Sequence, residues 1–239
     1  MIWIWYNVAM TGKPQTFVSF EEFALSAESY GMSLPKFAKK VGVEIGDLRV
    51  VVTGDGKFRF FGERGAVPCP EGFEITDEIG NYVRELGVAN LTIPDSVKSI
   101  GDNAFFNCTS LKDISIPDSV TSIGNNAFFH CTSLKSMTIS DSVTSIGNHA
   151  FAYCTSLTSV LIPDSVTSIG NNAFYCCTSL RSISIPNSVK SIGYKAFYGC
   201  TSLISVSIPN SVESIGYKAF YGCSSPRSVS IPNSATSIG

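Results

Sequence analysis

A 23-residue period governs most of this chain. The unit opening at Leu111 reads L-K-D-I-S-I-P-D-S-V-T-S-I-G-N-N-A-F-F-H-C-T-S. It returns at Leu134, Leu157, Leu180 and Leu203, with a degraded last copy from Pro226. The spacing does not drift, since Ile93, Ile116, Ile139, Ile162, Ile185, Ile208 and Ile231 stand 23 residues apart. A fixed period in this range is the mark of a solenoid. One coil cannot bury its own apolar set, so the coils must stack, and like residues then fall into columns about 4.8 Å apart.

Within the unit, Leu111, Ile114 and Ile116 predict a short strand with Ile114 and Ile116 on one side and Ser115 on the other. Pro117 ends it, and Asp118-Ser119 is expected to turn the chain by bonding its own backbone. Val120 and Ile123 anchor a second extended piece, and Gly124 lets the backbone bend. Asn125 or Asn126 is then expected to cap a single helical turn, Ala127–Cys131, that sends Ala127 and Phe128 inward. Before the array, Ile79-Gly80-Asn81-Tyr82 reads as a worn version of Ile123-Gly124-Asn125-Asn126.

The first 74 residues do not repeat. Ile2, Ile4 and Tyr6 alternate with Trp3, Trp5 and Asn7 as in a buried strand. Ser19 and Glu22 form a capping box that opens a helix over 20–29. Ser33 and Pro35 start a second helix that ends at Gly42. Leu48–Val52, the Asp55-Gly56 turn and Lys57–Phe61 predict a hairpin. Val67-Pro68-Cys69-Pro70 reads as a linker. The chain thus divides into a small α+β N-terminal cap, 1–74, and a solenoid, 75–239. The solenoid has a degenerate first copy at 75–92, regular copies to 225, and a truncated copy at 226–239.

With 239 residues the chain has ample material for a core. Charged residues make up 15%, against roughly 25% in an average soluble protein. Net charge is −2, so nothing general draws the chain to nucleic acid or anionic membrane. No apolar run approaches the ~20 residues of a spanning helix, and membrane insertion is not expected. The start of the chain lacks the basic region and cleavage site of a secretory signal.

The motif I-P-D-S-V-T-S-I-G-N-N-A-F-x-x-C-T-S-L resembles the BspA-like family of leucine-rich repeats, from about Leu91 to Gly239. The resemblance implies a right-handed α/β solenoid of short parallel strands and single helical turns. It also implies a non-enzymatic scaffold that binds a protein, or alternatively a glycan, through its surface.

Six of the eight cysteines, Cys108, Cys131, Cys154, Cys177, Cys200 and Cys223, are one repeat position. Thiols in a parallel column do not converge on a metal, so no cofactor is expected and the column reads as buried and structural. Free thiols suit a reducing cytoplasm, whereas the family resemblance also allows a cell surface. Cys176 stands outside the column at a variable position, beside no basic residue. His130 and His149, the only histidines, also occupy variable positions, and no Ser-His-Asp or Cys-His grouping suggests catalysis.

Two outward columns are candidates for binding. Lys112, Lys135, Thr158, Arg181, Ile204 and Arg227 run beside the first strand; the basic members suit an acidic partner, or merely solubilise a half-exposed sheet. Phe106, Phe129, Tyr175, Tyr198 and Tyr221, with Tyr194 and Tyr217, line the turn edge and suit protein or glycan contact, unless neighbouring turns bury them. An alternative function is that of a DNA-tethered adaptor, with Ala38, Gly42 and Leu48 in helix-turn-helix spacing, the hairpin as a wing, and Lys36–Arg59 on phosphates. Against it, Gly46 falls in the would-be recognition helix and Val50–Val52 prefers a strand. The last copy loses two anchors, to Pro226 and Ala235, and its edge is a candidate for end-to-end self-association.

Overall fold

The structure, a computed structural model, describes residues 49–52, 58–62, 65–67, 72–85, 87–225, 228–230 and 233–238. The strand and helices expected before residue 49 lie outside the described residues. Arg49–Val52 and Phe58–Gly62 pair antiparallel as the hairpin, and Phe58–Gly62 also pairs with a third strand, Gly65–Val67. Val67 therefore closes a strand rather than opening a linker.

From Phe73 onward the chain coils regularly. Each regular coil contributes one three-residue strand and one two-residue strand, and the strands pair in parallel with their counterparts in the next coil except between Asp113–Ser115 and Ser136–Thr138. The two-residue strands carry a Ser-Ile pair in strict register, as in Ser145↔Ser168 and Ile146↔Ile169. With Phe73–Ile75 and Val97–Ile100 at one end, they form an eight-stranded parallel sheet. The three-residue strands form a second parallel stack, Ser136–Thr138 through Ser228–Ser230, with Asn90–Thr92 and Asp113–Ser115 paired ahead of it. Each three-residue strand alternates exposed, buried, exposed, so Ile114, Met137, Val160, Ile183 and Val206 point into the core.

The core is one continuous column. Leu111, Val120, Ile123, Ala127, Phe128 and Cys131 are all buried, and their counterparts lie above and below them. Phe105, Phe128, Phe151, Phe174, Phe197 and Phe220 stack ring on ring with centroids 5.2 Å apart, which sets the rise of the stack.

Several local expectations take a different physical form. The Pro-Asp-Ser-Val turn is closed by its backbone, with the Val120 N–H donating to the Pro117 carbonyl. In three coils the turn serine serves the neighbouring coil: Ser165 and Ser188 donate to the carbonyls of Val143 and Val166 at 2.6 Å, and Ser234 to that of Val212 at 3.0 Å. The glycine column answers to crowding between coils. A Cβ added at Gly147 would lie 2.5 Å from the Gly124 carbonyl carbon, and one at Gly170 would lie 2.7 Å from that of Gly147. Bending is not the reason.

The single helical turn after each glycine is a run of tight turns. Phe129 N–H donates to Asn126 O and Cys131 N–H to Phe128 O within the coil, whereas Asn126, Phe128 and His130 N–H donate to the next coil at 2.7–2.9 Å. An α-helix would turn all these donors back on its own coil. The alternation is set by left-handed residues four apart, φ 52° at Asn126 and 59° at His130, and it recurs in every regular coil.

The one described helix is Asp77–Glu85, which turns Ile79 and Val83 into the core. Gly80 lies under the Ala104 carbonyl, leaving no room for a Cβ. The worn copy is therefore registered differently from its motif. Ile75 pairs with Ile100 and occupies the strand position, while Ile79-Gly80-Asn81-Tyr82 is helical. Arg84 reaches from this helix to the Phe106 carbonyl at 2.8 Å and ties it to the first turn.

Candidate interaction surface

The turn edge, Gly124 to Cys131 and its equivalents, carries the densest exposed chemistry. Its inner side is closed by the phenylalanine stack and the cysteines. Each column thiol donates to the carbonyl of the core phenylalanine one coil back: Cys131 to Phe105, Cys154 to Phe128 and Cys177 to Phe151 at 3.1 Å, Cys200 to Phe174 and Cys223 to Phe197 at 3.2 Å. Cys108, at the start, reaches Gly80 O at 3.5 Å. Burial pushes the Cys108 and Cys154 thiols up to about 12, and Cys131 and Cys177 well above their ordinary value. These are protonated sulfurs with no nucleophilic character near neutral pH.

The outer side is an unbroken aromatic ladder. Phe106 stacks on Phe129 at 5.0 Å, Tyr175 on Tyr198 at 4.9 Å, and Tyr198 on Tyr221 at 5.2 Å. In the sequence the column is interrupted by Ala152. The structure closes the gap with Tyr153, whose ring meets Phe129 and Tyr175 edge-on at 5.4 and 5.3 Å. Tyr153 was not among the expected residues, and the trace it left is an aromatic in the second position of the pair, after Ala152, where every other regular coil has its aromatic in the first. Phe129, Tyr175 and Tyr198 are half-buried against their neighbours, and Phe106, Tyr153 and Tyr221 are exposed. Both accounts of the column thus hold together: rings cover one another's faces and leave edges outward.

A second ladder runs beside it. The Asn148 N–H donates to Asn125 Oδ1 at 2.9 Å, Asn171 N–H to Asn148 Oδ1 at 2.8 Å, and Tyr194 N–H to Asn171 Oδ1 at 2.7 Å. Asp102 starts the series by accepting from the Asn125 N–H at 2.6 Å. These asparagines bridge coils and do not cap a helical turn. At Tyr194 the amide column gives way to rings, and Tyr194 and Tyr217 stack at 6.2 Å. Lys195 lies 5.0 Å from the Tyr194 centroid and 5.2 Å from that of Tyr198; Lys218 lies 4.9 Å from Tyr217 and 5.4 Å from Tyr221.

The strand-side column is simpler. Lys112, Lys135, Thr158, Arg181 and Ile204 are exposed and linked by their backbones, each N–H donating to the carbonyl before it; Arg227 lies outside the described residues. Beside them Ser115, Thr138, Ser184 and Ser207 face solvent, with Leu161 at 60% exposure. The structure keeps this column in line but its chemistry changes from coil to coil.

His130 pairs through Nδ1 with Asn107 Oδ1 at 2.7 Å, and His149 sits in another coil at a different position of the turn. Among the described residues, no three His, Cys, Asp or Glu side chains gather where they could hold a metal ion, and no helix is long and apolar enough to cross a membrane.

The BspA type leucine rich repeat region, as a sequence family, matches six copies in this chain across residues 78–200 and 144–239. No curated protein sequence matches it. Among solved structures, a leucine-rich repeat protein of T. pallidum is 34% identical over 63% of this chain and 68% of its own, with a TM-score of 0.55. A leucine-rich repeat protein of Eubacterium ventriosum is 27% identical, over 62% of this chain and 40% of its own, with a TM-score of 0.56. A leucine rich cell surface protein of Faecalibacterium prausnitzii is 27% identical, over 81% of this chain and 71% of its own, with a TM-score of 0.51.

Proposed function

Because the chain belongs to the BspA-type leucine-rich repeat family, we propose that it is a non-catalytic interaction scaffold whose aromatic turn edge docks a protein partner. Repeat proteins of this kind generally act by presenting a rigid surface. The observation that carries the reading is the continuous ladder Phe106–Phe129–Tyr153–Tyr175–Tyr198–Tyr221. Half-buried rings locked by stacking lose little conformational freedom on binding, and tyrosine is enriched at the energetic centres of interfaces. The strand-side basic residues suit a lesser, solubilising role, since their column includes Thr158 and Ile204. The absence of catalysis is supported by thiols held protonated under the turn edge and by a histidine engaged with an asparagine.

Capture of partner proteins from source-cell extract by the immobilised chain tests this. Changing Tyr175, Tyr198 and Tyr221 together to Ser should lower specific capture at least tenfold, equivalent to about 1.4 kcal/mol. Changing Lys112, Lys135 and Arg181 to Gln should leave it within twofold. Unchanged capture by the tyrosine variant would clear the ladder of the role, and capture abolished by deglycosylating the extract would transfer it to glycan.

A further inference from the structure

We propose that Tyr194–Lys195 and Tyr217–Lys218, with Tyr198 and Tyr221, form a docking patch for an acidic protein segment. The proposal rests on the scaffold reading above and assigns the partner's chemistry.

The first observation is backbone conformation. Position 126 of the repeat is left-handed in every regular coil. It is filled by Asn103, Asn126, His149 and Asn172, residue types that tolerate this region. The last two coils place Lys195 and Lys218 there, at φ 51° and 57°. Lysine has no local hydrogen bond that favours the left-handed region, so its presence twice calls for a reason other than the turn. The second observation is the neighbouring column. Tyr194 and Tyr217 replace the asparagine that elsewhere bridges coils. Both favourable polar choices are given up in the same two coils, and in both a Tyr-Lys pair replaces them.

The resulting surface presents positive character outward. Stacking covers the facing sides of the rings, Tyr198 with Tyr221 at 19° and Tyr194 with Tyr217 at 17°. What remains outside is ring edge, the positive part of the aromatic quadrupole, with hydroxyls and the two ammoniums. Tyr217 and Tyr221 are 54% and 58% exposed. Among the described residues neither Lys195 nor Lys218 forms an ion pair, whereas Lys190 pairs with Glu213. The C-terminal coils as a whole are also basic. From residue 180 onward the sequence holds Arg181, Lys190, Lys195, Lys218 and Arg227 against Glu213 alone. Over 93–179 it holds Asp95, Asp102, Asp113, Asp118, Asp141 and Asp164 against Lys98, Lys112 and Lys135.

An acidic peptide fits better than a sugar. A pyranose is neutral and gains nothing from two ammoniums, whereas a carboxylate is drawn to both. Alternate residues of an extended peptide lie about 6.6 Å apart on one side. That is close to the 6.2 Å between Tyr194 and Tyr217, so carboxylates two apart can meet Lys195 and Lys218 in turn.

The test uses the full chain and a fluorescent decapeptide of alternating Glu and Gly, with binding followed by anisotropy at low and high salt. One variant carries Tyr194→Asn, Lys195→Asn, Tyr217→Asn and Lys218→Asn, which restores the residues of the coil at Asn171-Asn172 and so keeps the fold. Its Tm should match or exceed that of the parent, while peptide affinity falls about tenfold. Lys112→Gln with Lys135→Gln should change affinity less than twofold. Undiminished affinity in the fourfold variant would overturn the assignment, as would equal loss in the Lys112/Lys135 variant. Displacement of the peptide by polygalacturonate at lower concentration would overturn it in favour of a glycan. If the Tyr175/Tyr198/Tyr221 variant loses partner capture while the fourfold variant binds the peptide normally, the scaffold reading survives and this patch does not.

Discussion

Each column thiol is a donor with one fixed acceptor, the phenylalanine carbonyl a coil below or, for Cys108, the Gly80 carbonyl. That makes the cysteine column a pH-sensitive part of the core. In the unfolded chain a thiol deprotonates near 9.0, whereas Cys108 and Cys154 are held to about 12 and Cys223 to about 11, burial being the main cause. Between those limits the unfolded chain sheds protons that the folded chain keeps. Stability is therefore full below pH 9 and falls as pH rises toward 12, by about 1.4 kcal/mol per pH unit for each fully buried thiol and by less for the half-buried Cys223. Thermal melts from pH 7 to 10.5 should show this decline. It should be shallower when Cys131, Cys154 and Cys177 are replaced by Ala, once the lower starting stability is subtracted; an unchanged slope would place the titration elsewhere. Alkylation at pH 8 should spare Cys131, Cys154, Cys177 and Cys200 until the chain is unfolded.

At the level of the element, the coil's corners are decided by contact with the next coil. The glycine corner is the tightest. A methyl at position 147 would stand 2.5 Å from both carbonyl atoms of Gly124, backbone that cannot rotate aside. Gly147→Ala should cost about 3 kcal/mol or more in urea unfolding, among the larger effects of a single methyl, because two coils must separate to admit it. A loss below about 1 kcal/mol would show that the stack yields more readily than its geometry implies. The adjoining turn, from Asn126 to His130, illustrates why residue variability can mislead. Asn107, His130, Tyr153, Cys176 and Gly199 look interchangeable in sequence, yet all are left-handed, with φ from 55° to 69°. The constraint acts on the backbone and leaves the side chain free. Tyr153 uses that freedom to fill the ladder beside Ala152.

In the whole molecule every coil touches only its neighbours, so stability is approximately a sum over coils and their interfaces. A lesion in the middle should therefore spread in both directions. Phe151→Ala removes a ring stacked against Phe128 and Phe174 at 5.2 Å and should cost about 3–5 kcal/mol. Hydrogen exchange should accelerate at Phe128, Phe174 and their strands, and less at Phe105 and Phe197. Uniform acceleration along the stack would mean one cooperative unit instead of a chain of coupled coils. Charge follows the same axis, since the basic Tyr-Lys coils succeed a stretch richer in aspartate, and a rigid stack keeps the two apart.

The amino-acid sequence by itself determined the solenoid, its 23-residue period, the strand positions and the buried columns of Ile, Leu, Phe and Cys. Periodicity of apolar residues is a local signal, and stacking repeats it in space. Only the tertiary structure decided where the remaining polar groups bond. Asn125 looks like a cap, Ser165 like a self-bonded turn residue, and Ala127–Cys131 like a helical turn. Asn125 Oδ1, the Ser165 hydroxyl and the Phe128 and His130 N–H groups find partners a coil away, 22 or 23 residues along the chain, and no local pattern records which way a donor points. The aromatic ladder was visible apart from Tyr153. The cage of Lys195 and Lys218 between tyrosines was not, because it forms between columns that meet only once the coils are stacked.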